Sequence, residues 1–123
     1  MYKVHESESE YRFGDHGPKY LMRGSQIEFG IVVLKPGQEF QNHYHEHYEE
    51  NFFVLEGKVD FYVDGSLHTL EKGDLLRCDK REAHYLINPY DADFKAVFVK
   101  APHVTERDYV EVENPAIQRS GGK

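Results

Sequence analysis

The chain has 123 residues, of which 39% are hydrophobic and 14% aromatic, a composition typical of one folded domain rather than a disordered segment. Its 15 basic and 22 acidic residues give a net charge of −7, which argues against nucleic acid and anionic membranes as partners. One cysteine excludes an internal disulfide, the N-terminus is too polar for a signal peptide, and no apolar run approaches a membrane span. We therefore expect a soluble cytoplasmic protein.

The first third of the chain predicts a polar arm followed by a deeply buried strand. Residues 1–19 are polar, and we expect an irregular arm or an edge strand there. Residues 20–22 are a short strand candidate, and residues 26–34 carry apolar side chains on both faces, which is typical of a strand in the interior. Lys35-Pro36-Gly37 predicts a turn, since proline fixes φ and glycine supplies a positive φ.

The next segment concentrates side chains that bind metals. Three of the eight histidines and two adjacent glutamates fall between His43 and Glu50. If His43 and His45 lie on an extended strand, both imidazoles point to one face, about 7 Å apart. A short turn then returns Glu49 or Glu50 on the neighbouring strand, facing the pair. This set suits a divalent transition metal, and a solvated polar loop is the alternative interpretation.

The apolar run that follows indicates which side chains of the strand after Glu50 face inward and which face outward. If Glu50 points inward, Phe52 and Val54 do too, and Phe53 and Leu55 face outward. Apolar side chains on the outside of a small barrel indicate a covered face. A second copy of the chain or a second layer of the same domain could cover it, and we expect a homodimer.

The remaining elements read as short strands joined by tight turns. Asp64-Gly65 predicts a hairpin between residues 59–63 and 67–70, and further strands are expected at 75–78, 84–88 and 94–99. Residues 109–113 predict either an edge strand or a segment that crosses to a second subunit. Because helical periodicity is absent from the sequence, the pattern indicates an all-β sandwich or barrel.

Two segments resemble the paired sequence motifs of the cupin family. The first motif, G-x5-HxH-x4-E-x6-G, is matched at Gly37, His43, His45, Glu50 and Gly57. The second, G-x5-P-x-G-x2-H-x3-N, is matched at Gly73, His84 and Asn88. It departs from the family pattern with Asp79 in place of proline and Arg81 in place of glycine.

The resemblance implies a fold, a domain layout and a ligand set. The fold is the cupin double-stranded β-helix, a jelly-roll β-barrel, over residues 20–100, with an N-terminal arm at 1–19 and a C-terminal extension at 101–123. The implied metal ligands are His43, His45, Glu50 and His84, with Glu49 also within the spacing that the family allows. The implied cofactor is one divalent transition metal: Fe, Mn, Ni, Co or Zn.

Several neighbours of the implied ligands are candidates for contact with a small-molecule substrate. Lys80 and Arg81 could hold an anionic substrate if their turn borders the barrel mouth, although a solvated surface turn is the alternative. His47 shares the parity of the ligand histidines and could be a spare ligand or a general base, or it could lie in the turn, exposed to solvent. Glu49 is a further substrate-binding candidate. Cys78 is expected to be a small buried apolar residue.

Two classes of function follow from the resemblance. The first is a metal-dependent enzyme of small-molecule metabolism, of the isomerase, lyase or dioxygenase type, that acts on a chelating, oxygen-rich substrate. The second is a non-catalytic module that binds a sugar or another small ligand. The full ligand set favours the enzyme, since a pure binding barrel has no need of all four ligands.

Overall fold

The computed structural model describes residues 1–117, and these form ten strands and a single 3-10 turn at Glu6–Glu8. Residues 118–123 of the predicted C-terminal extension lie outside the described part. The strands are β1 (Gly17–Arg23), β2 (Glu28–Leu34), β3 (Glu39–Tyr44), β4 (Glu49–Glu56), β5 (Lys58–Val63), β6 (Ser66–Glu71), β7 (Leu75–Cys78), β8 (His84–Ile87), β9 (Phe94–Ala101) and β10 (Val110–Glu111).

The strands form two antiparallel sheets of five. The first sheet has the order β1-β2-β9-β4-β7, and the second has the order β10-β3-β8-β5-β6. Their inner faces enclose one apolar core, and the crossing connections between the sheets give the jelly-roll arrangement. The prediction of an all-β jelly roll is confirmed.

One detail of the predicted pairing is wrong. The histidine strand β3 and the glutamate strand β4 were expected to be neighbours, yet they belong to different sheets. The turn between them carries the chain from one sheet to the other. Glu50 therefore faces the histidines across the barrel interior instead of along one sheet surface.

Alternation along β4 places the side chains as the sequence indicates. Phe52 and Val54 are buried in the core, whereas Phe53 is 43% exposed on the outer face. Phe53 pairs in register with Leu75 of β7, which is 67% exposed. These two side chains form an apolar strip on the outside of the first sheet.

Two local features explain how the backbone permits this packing. The hairpin between β5 and β6 turns at Asp64 and Gly65, with φ values of 47° and 84°, as Asp-Gly turns require. At Gly30 an added Cβ would lie 2.3 Å from the ring of Phe98, so glycine leaves the space that this ring occupies beside β2.

The predicted C-terminal extension contributes a strand to the barrel. β10 pairs with β3 of the same chain, which is the edge-strand alternative for residues 109–113. In residues 1–117 no helix has the length and apolar character needed to cross a membrane.

Candidate metal centre

Three imidazoles and one carboxylate meet inside the barrel. His43 on β3 pairs in register with His84 on β8, His45 follows at the end of β3, and Glu50 begins the inward face of β4. One ligand atom from each of the four lies within 4.8 Å of the others. Glu50 Oε1 is 3.1 Å from His45 Nε2 and 3.3 Å from His84 Nε2.

Backbone carbonyls fix the orientation of all three rings. The Nδ1 atoms of His43, His45 and His84 lie 2.6, 2.5 and 3.1 Å from the carbonyl oxygens of Gln41, Asp108 and Glu82. Because a carbonyl oxygen only accepts, each Nδ1 must carry the hydrogen. Each Nε2 then offers its lone pair to the centre of the group, which is the arrangement that metal-binding histidines show.

The charges of the group favour a bound cation. Burial, followed by the charge of His84, lowers the pKa of His43 to about 3, so this imidazole is neutral at physiological pH. Burial alone would raise the pKa of Glu50, but the charge of Lys100 and the contacts with His45 and His84 outweigh it and leave this pKa well below its usual range. The ionised Glu50 carboxylate lies 3.1 and 3.3 Å from the Nε2 atoms of His45 and His84, and its negative charge would stabilise a metal ion bound among these atoms.

The donor set fits a divalent transition metal. Metal bonds to imidazole nitrogen and carboxylate oxygen are about 2.1 Å long, so ligand atoms on opposite sides of an ion lie about 4.2 Å apart. The observed limit of 4.8 Å is close to this separation. Three imidazole nitrogens and one carboxylate suit Fe, Mn, Ni, Co or Zn.

A cavity of about 810 Å³ opens onto the four ligands. Its inner wall is apolar where Val32, Phe40, Phe52, Leu86 and Phe98 surround the ligand group. Residues from two distant segments also line the cavity: Arg12, Phe13 and Pro18 from the first, and residues 104–109 with Glu111 from the second. The ligands are therefore accessible to a small molecule, while the apolar wall limits the water around them.

The segment 104–111 is attached to the ligand turn through Asp108. The carboxylate of Asp108 accepts hydrogen bonds from the backbone nitrogens of Glu46 and His47 at 2.9 and 2.7 Å. Its own carbonyl accepts from His45 Nδ1, and Tyr109 stacks on His43 with 4.5 Å between ring centroids. This segment therefore holds two of the histidine rings in place.

The turn before His84 contains Arg81, one of the two departures from the family motif. Arg81 stands where the motif has glycine, and it adopts φ 68°, a conformation that glycine takes most readily. Its backbone nitrogen donates a 2.7 Å hydrogen bond to the carbonyl of His45. That bond ties the second motif to the first, which explains why the backbone holds this conformation.

The four residues predicted as possible substrate contacts do not line this cavity. The His47 side chain is 69% exposed, with Nδ1 3.4 Å from Asp108 Oδ2. Glu49 accepts a hydrogen bond from Asn51 at 3.0 Å. Lys80 and Arg81 are exposed in their turn, and their role in substrate binding stays a prediction.

Cys78 is the buried residue that the sequence indicated. It pairs in register with Glu50, and burial, followed by the negative charge of Glu50, raises the pKa of its thiol. The thiol therefore stays protonated, and Cys78 is not part of the ligand group that residues 1–117 form.

Sequence reasoning missed several polar residues that line the cavity: Tyr20, Glu28, Tyr48 and Lys100. Lys100 could have been found from the sequence. Every second residue of this strand, Phe94, Ala96 and Phe98, faces inward, and Lys100 is the next position in that alternation. Tyr48 lies at the turn, and its hydroxyl is 2.7 Å from His45 Nδ1. Local spacing carries no signal for Tyr20 and Glu28, since strand pairing over long distances in the chain brings them to the cavity.

Comparisons with known proteins agree with the fold. The family model for the Cupin domain matches residues 30–100. Polyketide synthase CurC from Streptomyces cyaneus is 30% identical over 92 residues, covering 72% of this chain and 58% of that protein. L-ectoine synthase from Saccharophagus degradans is 30% identical over 83 residues, covering 67% of this chain and 61% of that protein.

The fold also matches a solved structure. The polyketide cyclase RemF from Streptomyces resistomycificus superposes with a TM-score of 0.77 at 17% identity, covering 91% of this chain and 85% of that one. The matched regions span less than two thirds of the two relatives found by sequence, at 58% and 61% of their lengths.

Proposed function

This chain belongs to the cupin family, and on that premise we propose that it is a metal-dependent enzyme of small-molecule metabolism. In this proposal His43, His45, His84 and Glu50 hold one divalent transition metal. The substrate binds that metal through two oxygens, and the reaction is of the isomerase, lyase or dioxygenase type.

The observation that carries the proposal is the position of the four ligands at the inner end of an open cavity. A structural zinc site is normally closed by its protein ligands, whereas a catalytic site keeps a position for substrate. Four protein ligands in an octahedral shell leave two positions for substrate oxygens. The cavity of about 810 Å³ is in the range of small-molecule sites.

The surrounding residues prepare the site for an oxygen ligand. A divalent metal bound there supplies a Lewis acid that polarises a carbonyl or enolate oxygen. The carbonyls of Gln41, Glu82 and Asp108 hold the three imidazole rings, so the ligand geometry is set before substrate arrives. Phe52 and Phe98 line the cavity and exclude water from the polar group.

The names of the related proteins favour a role in small-molecule metabolism, but they do not identify the reaction. CurC is named a polyketide synthase, RemF a polyketide cyclase, and another relative an ectoine synthase. One fold hosts many reactions on similar ligands, so these names do not select among them. The aromatic wall suits a substrate with a flat carbon frame that carries neighbouring oxygens, such as a hydroxy-ketone or a diketone.

The test is turnover that depends on the metal. Protein stripped with chelator is reconstituted separately with Fe, Mn, Ni, Co and Zn and incubated with panels of diketones, keto acids and sugars. Oxygen uptake and mass spectrometry of products are the readouts, and Glu50→Gln is the matched variant. We expect turnover with at least one metal in the wild type and none in the variant.

The contrary result is binding without turnover. A sugar or other small ligand that binds the stripped and the reconstituted protein equally well, with no product from any panel, would favour the non-catalytic module.

A further inference from the structure

A row of alternating charges crosses the inner face of the first sheet beside the ligand group. Strand register pairs Arg23 of β1 with Glu28 of β2, Glu28 with Lys100 of β9, and Lys100 with Glu50 of β4. All four residues line the cavity. Directly paired residues on neighbouring strands have Cβ atoms about 5 Å apart, so Lys100 is the strand neighbour of the ligand Glu50.

Both carboxylates beside Lys100 are engaged by other partners. Glu28 lies 2.8 Å from His103 Nδ1 and 3.7 Å from Arg23 Nε. Glu50 contacts two of the ligand histidines. Within residues 1–117, no ion pair within 4.0 Å joins Lys100 to either carboxylate.

The ammonium group of Lys100 is surrounded mainly by aromatic rings. Its Nζ donates a 2.6 Å hydrogen bond to the hydroxyl of Tyr20, and it lies 5.1 Å from the ring centroid of Tyr48 and 5.6 Å from that of Phe98. An ammonium group has three N–H donors. A half-buried cation with donors to spare is stabilised by an anion that can accept from them.

We propose that Lys100 binds a negatively charged oxygen of the substrate next to the chelating oxygens. This inference rests on the proposed function and narrows it, because it makes the substrate an anion, such as a carboxylate, an enolate or a phenolate, and excludes a neutral sugar. Lys100 lies on the strand beside Glu50, so a molecule held by the ligand group brings its oxygens within reach of the ammonium group.

A purely structural role for Lys100 makes a different prediction. If its charge serves only to keep Glu50 ionised, its removal weakens metal binding. If Lys100 binds the substrate anion, its removal leaves the metal in place and weakens only the binding of that anion. Metal affinity and anion affinity therefore separate the two roles.

The experiment uses Lys100→Gln, which removes the charge and keeps a donor for the Tyr20 hydroxyl. Wild-type and variant proteins are loaded with Co²⁺, their metal content is measured, and pyruvate and hydroxyacetone are titrated while the visible absorption of Co²⁺ is followed. Both probes have three carbons and carry oxygens on two neighbouring carbons, and only pyruvate is an anion. Lys72→Gln, in an exposed turn, controls for the change in net charge.

We expect Lys100→Gln to keep its Co²⁺ and to bind pyruvate about 10- to 100-fold more weakly, the loss of one charged hydrogen bond. Binding of hydroxyacetone should change less than about twofold, and Lys72→Gln should match the wild type. Lys100→Arg keeps the positive charge and should retain most of the pyruvate affinity, a comparison that holds even if the glutamine variant fails to fold.

Three results would overturn the inference: unchanged pyruvate affinity in Lys100→Gln, loss of Co²⁺ from that variant, or no pyruvate binding by the loaded wild type. Failure of the proposed function is seen in other measurements, as a wild type that binds no metal or as the absence of product from every substrate panel with every metal.

Discussion

The barrel interior has two halves, built on the same strands and filled with opposite chemistry. In the closed half, β4 contributes Val54 and β9 contributes Phe94, both in the apolar core. In the open half, the same inward faces carry Glu50 and Lys100. Parity along a strand therefore decides which side chains enter the barrel, and their position along the strand decides whether they meet an apolar core or a cavity.

The buried polar groups of the open half are tolerated because they keep polar partners. Each ligand histidine in the open half has a carbonyl partner, and the Glu50 carboxylate lies beside two imidazoles. Buried polar groups that keep such partners avoid most of the penalty of leaving water. We infer that the closed half supplies stability and the open half supplies function.

The largest expected effect comes from the closed half. Phe94→Ala should lower the free energy of unfolding by about 3–5 kcal/mol, because it leaves a cavity in the core. Urea unfolding of metal-free protein measures this loss, and Phe94→Leu should lose far less. The folded fraction of Phe94→Ala should bind metal within about twofold of the wild type. A loss of metal affinity as large as that of a ligand variant would show that the halves are not separate.

The matching change in the open half is Glu50→Gln. This variant should weaken metal binding by more than about 100-fold, because it removes the one carboxylate of the ligand group. That loss exceeds the roughly 10- to 100-fold loss typical of residues that only support a ligand. Calorimetric titration with Zn²⁺ measures the affinity. Glu49→Gln, one residue earlier and outside the cavity wall, should bind like the wild type. The reverse order of effects would make Glu49 the ligand.

A smaller effect is expected from the segment that supports the ligands. Asp108→Asn removes the charge that accepts from the nitrogens of Glu46 and His47, and should weaken metal binding by about 10-fold. Glu113→Gln makes the same change of charge at an exposed site just beyond the segment and serves as the control. Equal affinity in Asp108→Asn and the wild type would mean that the segment does not position His45.

The smallest effect on the isolated chain is expected outside the barrel. Phe53→Asp should change monomer stability by no more than about 0.5 kcal/mol, because Phe53 is 43% exposed. If the strip formed by Phe53 and Leu75 is a homodimer interface, the variant should shift from dimer to monomer in sedimentation velocity runs. Leu67→Asp, exposed on the other sheet, should leave association unchanged. A monomeric wild type would contradict the dimer.

The sequence predicted the parts of the molecule that depend on local pattern. Alternation along β4 and the Asp64-Gly65 turn predicted burial and a hairpin that the structure has, since both are properties of a few consecutive residues. The strand pattern alone indicated an all-β fold, and the resemblance to the cupin motifs implied the jelly roll and the four candidate ligands. The sheet to which β4 belongs was not predictable locally, because it depends on pairing with β9, far along the chain.

The cavity wall shows the same limit. Glu28 and Lys100 are 72 positions apart and become neighbours through the pairing of β2 with β9. Asp108 reaches the ligand turn from a segment that sequence reasoning had treated as a plain extension. Lys80 and Arg81 were candidates because they lie close to His84 in sequence. Both are exposed, and neither lines the cavity.

The most direct test is elemental analysis of protein purified without chelator or affinity tag, with His45→Ala and His47→Ala beside the wild type. Our account predicts close to one divalent transition metal per chain in the wild type and in His47→Ala. It predicts loss of most of that metal from a folded His45→Ala. Equal metal content in the two variants, or a wild type that neither contains metal nor binds it on reconstitution, would contradict the assignment of His43, His45, Glu50 and His84 as a metal centre.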